Sequence, residues 1–152
     1  MYNKSKAKGN AFEAEVAKVI SLWLSNGKSA YWLERRTAGS GGAPRDVRCM
    51  TGLSGDIFPL DPHAADFCMD LNFEVKAYKD LTGEMWKWCI GEPSKIDDFL
   101  KQAKVKHKDY YCLVIKSNNR TPIVLTNRRF GRNSKQINGI FVFSFNYFKK
   151  YR

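Results

Sequence analysis

Between positions 10 and 25 the apolar residues Phe12, Val16, Val19, Ile20, Trp23 and Leu24 recur at helical spacing and fall on one face. Asn10 stands where a cap is wanted and Gly27 just past the end, so the pattern predicts a helix over 10–25. Residues 30–36 read as a strand by their aromatics, and 37–53, rich in Gly, Ser, Thr and Arg, as loop. A short strand at 55–60 ends at Pro59, and 61–70 is expected to be a polar connection. From Leu71 to Tyr78 the alternation is strict: Leu71, Phe73, Val75 and Ala77 face one way, Asn72, Glu74, Lys76 and Tyr78 the other. After a turn and a Trp-rich stretch (85–88), Pro93-Ser94 opens a helix to about His107, with Ile96, Phe99, Leu100 and Ala103 inward. Strands at 110–116 and 122–126 flank a turn at 117–120. A last short strand at 140–143 leads to Ser144, placed to cap a terminal helix bearing Tyr147, Phe148 and Tyr151. The order helix, three strands, helix, two strands, with no internal repeat, predicts one α/β domain over 1–152, its sheet flanked by helices. Residues 1–9, polar and basic, are expected to be a flexible arm.

Charge changes the picture more than composition does. With 26 Lys+Arg against 15 Asp+Glu the chain carries +11, a balance that suits a polyanion, because each neutralised phosphate releases counterions. At 43% hydrophobic residues the chain is too apolar for intrinsic disorder. Cys49, Cys68, Cys89 and Cys112 are far apart with no paired spacing, which argues against structural zinc, and Cys112 reads as a buried small hydrophobe. No signal peptide and no membrane-spanning run is evident, so an intracellular protein with reduced thiols is expected. His63 in a loop and His107 at a helix end do not form an HNH-type nuclease site.

Chemistry gathers around Asp56, Glu74 and Lys76. Glu74 and Lys76 are two apart on one strand and share a face, and Asp56 lies in the preceding strand, which usually neighbours the next. Two carboxylates in one cleft repel unless a divalent cation lies between them, and hard oxygen ligands suit Mg²⁺. Asp46 is a second candidate ligand, but it sits between Arg45 and Arg48, whereas Ile57-Phe58 continues Asp56 as a buried strand. On the first helix Glu13 falls about 50° from the centre of the apolar face and Glu15 about 110°. Glu13 is therefore the acid able to reach a sheet. Lys4, Lys6, Lys8, Arg45 and Arg48 are candidate phosphate contacts. Arg36 and Ser40 bracket small residues that let a phosphate backbone approach closely. Arg128, Arg129, Arg132 and Lys135 make a second basic cluster, and Trp86 and Trp88 are suited to base stacking, an interface or the core.

Gly55-Asp56 followed by Glu74-Val75-Lys76 resembles the signature of PD-(D/E)xK nucleases, with Gly55 in place of the nominal proline. Upstream, Lys8-Gly9-Asn10-Ala11-Phe12-Glu13 and then Arg36-Thr37-Ala38-Gly39-Ser40 resemble archaeal-type Holliday junction resolvases. Those carry Lys-Gly-x-x-x-Glu on the first helix and Arg-Ser-Ala-Gly-Ser after the first strand, and the match covers about the first half of the chain. The resemblance implies a restriction-endonuclease-like αβββαβ core with a central mixed sheet. It also implies a homodimer that makes paired nicks in four-way DNA with Mg²⁺, for which Mn²⁺ can substitute. On this expectation metal-activated water hydrolyses a phosphodiester, Asp56 and Glu74 hold the metal, Glu13 completes the site and Lys76 orients the nucleophile. A restriction-like or repair nuclease with the same core, and a non-catalytic basic nucleic-acid-binding module, are the competing readings.

Overall fold

A computed structural model describes residues 4–36, 55–132 and 135–150. Helix α1 spans Lys4–Leu24, so it begins six residues before Asn10 and takes up residues 4–9 of the expected flexible arm. Lys and Ala are strong helix formers, and the segment Lys4-Ser5-Lys6-Ala7-Lys8 extends the helix without contributing to its apolar face. The helix ends through left-handed Asn26 and Gly27, and the Gly27 N–H donates to the Leu22 carbonyl at 2.7 Å. Phe12, Val16, Ala17 and Ile20 are buried, with Val19, Trp23 and Leu24 packed against the same cluster. The Ser21 hydroxyl oxygen accepts the Leu33 N–H at 2.9 Å and so ties α1 to the first strand.

That strand, β1 (Leu33–Arg35), pairs antiparallel with β2 (Ile57–Pro59), Glu34 opposite Phe58. The segment 37–53, with Ser40, Arg45, Asp46 and Arg48, lies outside the described residues. The expected polar connection at 61–70 is instead helix α2 (Pro62–Met69). Asp61 caps it by accepting the His63 N–H at 2.8 Å, Pro62 sits in its first turn, and Ala64, Ala65 and Cys68 are buried.

Strand β3 spans Leu71–Tyr78 and runs parallel to β4 (Tyr110–Ser117), Glu74 opposite Leu113. The crossover between them holds α3 (Thr82–Cys89) and α4 (Lys95–Ala103). A reciprocal Ser94–Asp97 capping box opens α4. The helix stops at Ala103, short of His107; the Asn72 Nδ2 donates to the Ala103 carbonyl at 2.9 Å. Strands β5 (Ile123–Thr126), β6 (Gln136–Ile137) and β7 (Ile140–Ser144) complete a mixed sheet of order β3-β4-β5-β7-β6. The short β6 has no counterpart in the expected strands. The terminal helix is a 3₁₀ turn, Phe145–Phe148, capped by Ser144; Tyr151 lies outside the described residues.

Helices α1 and α2 cover one face of the sheet over Phe73, Val75, Cys112, Val114 and Val124. Helices α3 and α4 cover the other over Leu113, Ile115 and Leu125, with Trp88, Ile96, Phe99 and Leu100 inward. This is the mixed sheet flanked by helices that the alternation implies, consistent with a restriction-endonuclease-like core. Among the described residues no helix is long and apolar enough to cross a membrane.

Candidate active site

Strand β3 stands at the end of the five-stranded order, so its outer edge presents unpaired backbone groups. Asp56, just before β2, takes up two of them: its N–H donates to the Phe73 carbonyl at 2.8 Å, and its Oδ2 accepts the Val75 N–H at 2.7 Å. The Asp56 carbonyl in turn accepts the Arg36 N–H at 2.7 Å. One residue thus fastens the β1–β2 pair to β3 and brings a carboxylate beside Glu74.

Gly55 makes this docking feasible. Its φ is +81°, and a Cβ there would collide with the Phe73 carbonyl oxygen and lie 2.7 Å from Asn72 Oδ1. A glycine in place of the family's proline is what this close approach of two backbones requires. Asn72 is 1% exposed, and its Oδ1, beside Gly55, has no hydrogen-bond partner among the described residues.

On the α4 face of β3, Lys76 Nζ lies 3.0 Å from Glu74 Oε1 and 5.6 Å from the centre of the Phe99 ring. Glu13 comes from α1 and sits 3.9 Å from an Arg35 guanidinium nitrogen. Its side chain is 20% exposed. Glu15 is 44% exposed and faces away, paired with Lys149 at 3.7 Å. Burial, followed by the neighbouring Asp56 carboxylate, raises the Glu74 carboxyl above its ordinary value against the opposing pull of Lys76 and Arg36. Burial also raises Glu13, with Asp56 and Glu74 adding to it and Arg35 and Lys76 opposing. Glu13, Asp56, Glu74 and Lys76 therefore share one electrostatic neighbourhood.

Among the described residues no three His, Cys, Asp or Glu side chains stand together as a ready metal cage. Each acid is engaged otherwise, Asp56 by a backbone N–H, Glu74 by an ammonium and Glu13 by a guanidinium. The donor set still fits a small hard cation. Mg²⁺ is commonly held by one or two carboxylates, the remaining positions going to water and substrate phosphate. Asp56 and Glu74 are two such carboxylates, half-buried and raising each other's energy when both are charged.

The other candidates divide. Lys4, Lys6 and Lys8 lie exposed on the first turns of α1, and Arg36 is exposed at the end of β1. Ser40, Arg45 and Arg48 are outside the described residues. Arg128 is no free surface cation: its guanidinium lies 5.3 Å from the Phe67 ring centre, 5.6 Å from Tyr110 and 5.7 Å from Phe130. Trp88 is core, while Trp86 is 70% exposed. Sequence reasoning missed Arg35, which lies two residues from buried Leu33 and so shares the face of β1 that turns toward α1 and Glu13.

A family model described as "phage putative PDDEXK endonuclease" matches residues 4–151. No curated protein and no solved structure matches the chain.

Proposed function

The chain belongs to this family of phage PD-(D/E)xK endonucleases, and on that premise we propose that it is a divalent-metal-dependent DNA endonuclease selective for four-way junctions. The observation that carries the nuclease reading is the meeting of Asp56, Glu74 and Lys76 on β3, in the order and spacing of the PD-(D/E)xK signature. Asp56 and Glu74 hold the cation, preferably Mg²⁺ with Mn²⁺ as substitute, and Glu13 completes the site from α1. A cation held there supplies charge stabilisation to the phosphoryl group and acidifies the attacking water. The Lys76 ammonium, steadied by Glu74 and the Phe99 ring, orients the nucleophile and stabilises charge developing on the phosphoryl oxygens. Arg36, at the end of β1 beside Asp56, fits a contact to the DNA backbone, as do Lys4 and Lys6 on the exposed first turns of α1.

The finer substrate rests on Lys8-Gly9 with Glu13 and on Arg36-Thr37-Ala38-Gly39-Ser40, the two upstream motifs that resemble junction resolvases. A four-way junction is two-fold, so paired nicks ask for a homodimer. The test is cleavage of a synthetic four-way junction, a linear duplex of the same arms and a flap, with Mg²⁺ and with EDTA. Mg²⁺-dependent paired nicks in the junction, with the duplex spared, support the reading. Equal cutting of the duplex or preference for the flap points to a restriction-like or repair nuclease, and a monomer on junction DNA counts against resolution.

A further inference from the structure

A cleft of about 530 Å³ opens between the start of α1 and the turn joining β4 to β5, outside the set of carboxylates described above. Its floor is formed by Phe12 and Ala77. Phe12 precedes Glu13 on α1 and Ala77 follows Lys76 on β3, but Ala77 packs toward α1, so the cleft lies on the sheet face opposite the one that carries Glu74 and Lys76.

The chemistry of its walls is that of an anion site. Lys8 contributes an exposed ammonium from α1. Lys116, opposite Ala77 in the β3–β4 register, contributes a second from the sheet. Lys116 is half-buried, its Nζ 5.3 Å from the centre of the Phe12 ring, and among the described residues no carboxylate lies within ion-pair distance of it or of Lys8. Glu15, the one acid lining the cleft among the described residues, is already held by Lys149. The rim adds amide donors from Asn118 and Asn119. That turn is fixed to the end of β3: Asn119 adopts a left-handed φ of 60°, and the Asn118 N–H lies 3.2 Å from the carbonyls of both Tyr78 and Lys79. The cleft is built into the fold rather than assembled by mobile side chains.

We infer that this cleft is a second phosphate subsite, in which Lys8 and Lys116 hold the sugar-phosphate backbone of the DNA on the α1 face of the sheet. The inference deepens the nuclease reading and rests on it for the identity of the ligand. Set on the face of β3 opposite Glu74 and Lys76, the cleft governs affinity rather than the chemical step.

The experiment measures binding of a synthetic four-way junction in EDTA across a salt series, together with single-turnover cleavage in Mg²⁺ at saturating DNA. Lys116→Met keeps the apolar stem against Phe12 while removing the charge, and Lys8→Ala keeps helix propensity. The double variant should lose about two from the slope of log affinity against log salt, about one for each lysine. Its melting temperature should remain that of the wild type, and Lys116→Met alone should keep the saturated cleavage rate. Lys116→Arg should restore the lost contact, and Lys28→Ala, the loss of one charge beyond the far end of α1, should leave the slope alone where each single cleft variant lowers it by about one. An unchanged slope in the double variant, or an equal loss from Lys28→Ala, overturns the subsite. Absence of metal-dependent cleavage by the wild type would instead strike the nuclease reading, and the binding arm decides the subsite whether or not cleavage occurs.

Discussion

Glu74 is held in a conflict that its neighbours only partly relieve. Burial and Asp56 raise its carboxyl above the ordinary value while Lys76 and Arg36 pull the other way. For an acid raised in the folded state, the stabilising contribution is complete below the unfolded-state value and is lost as pH rises through the folded one. Metal-free protein should therefore gain stability from Glu74→Gln at pH 7, and the gain should vanish at about pH 3, well below the ordinary glutamate value of about 4.3, where the wild-type acid is protonated in both states. Thermal melts of both proteins in EDTA at the two pH values check this; a Glu74→Gln protein that melts lower at pH 7 would mean the Lys76 pair outweighs burial. Glu13 and Glu15 make a second comparison at this scale. Both lie early in α1, but Glu13 borders the buried stripe and shares the field of Asp56 and Glu74, while Glu15 is turned to Lys149. Glu13→Gln should cripple cleavage and Glu15→Gln should leave the chemical rate near wild type. Single-turnover rates on junction DNA decide it, and equal losses in both would contradict the helix phase. That phase is legible from the spacing of Phe12, Val16 and Ile20 alone. The partner of Glu13 is less so, because choosing Arg35 over Arg36 needs the strand's facing, which the face that Arg35 shares with Leu33 supplies only once β1 is placed on α1.

Among the elements, the long periodic ones can be read directly. Strand β3 covers the alternating run Leu71–Tyr78, and the inward residues of α4 are the four that its spacing selects. Helix α2 is hidden by its polar residues, although Asp61-Pro62 is a cap and first-turn pair and Ala64, Ala65 and Cys68 supply a narrow buried stripe. The early start of α1 is hidden because Lys4 to Lys8 carry propensity without any apolar pattern. Docking of β2 on β3 is not foreseeable in detail, since it depends on one aspartate using both backbone and side chain along the β3 edge. Gly55 is the residue that permits it. Gly55→Ala must place a methyl against the Phe73 carbonyl and hold a left-handed φ, a backbone strain of about 1–3 kcal/mol before the collision is counted. The variant should melt well below wild type and lose activity with it, as denaturant titration would show. A fully stable Gly55→Ala protein would mean that the two backbones do not approach this closely.

For the whole molecule, the charge of +11 points to a polyanionic partner, and the order of helices and strands to a helix-flanked sheet, without any geometry. What neither can supply is which of 26 basic side chains face DNA. Arg128 is enclosed by three aromatic rings, whereas Lys116, embedded in a strand-like run of sequence, lines the cleft on the α1 face of the sheet. We propose that Asp56 and Glu74 form a cation-dependent hydrolytic centre on the edge of β3. Asp56→Asn tests it most directly, because an asparagine oxygen can still accept the Val75 N–H that fastens β2 to β3 while the charge is removed. The measurement is single-turnover cleavage of a four-way junction in Mg²⁺ and in EDTA by wild type and Asp56→Asn, with the melting temperature of each recorded. The account predicts Mg²⁺-dependent cleavage by the wild type and none detectable by an Asp56→Asn protein that melts normally and still binds the junction. Wild-type cleavage that persists in EDTA, or an Asp56→Asn protein that cuts at the wild-type rate, would contradict it.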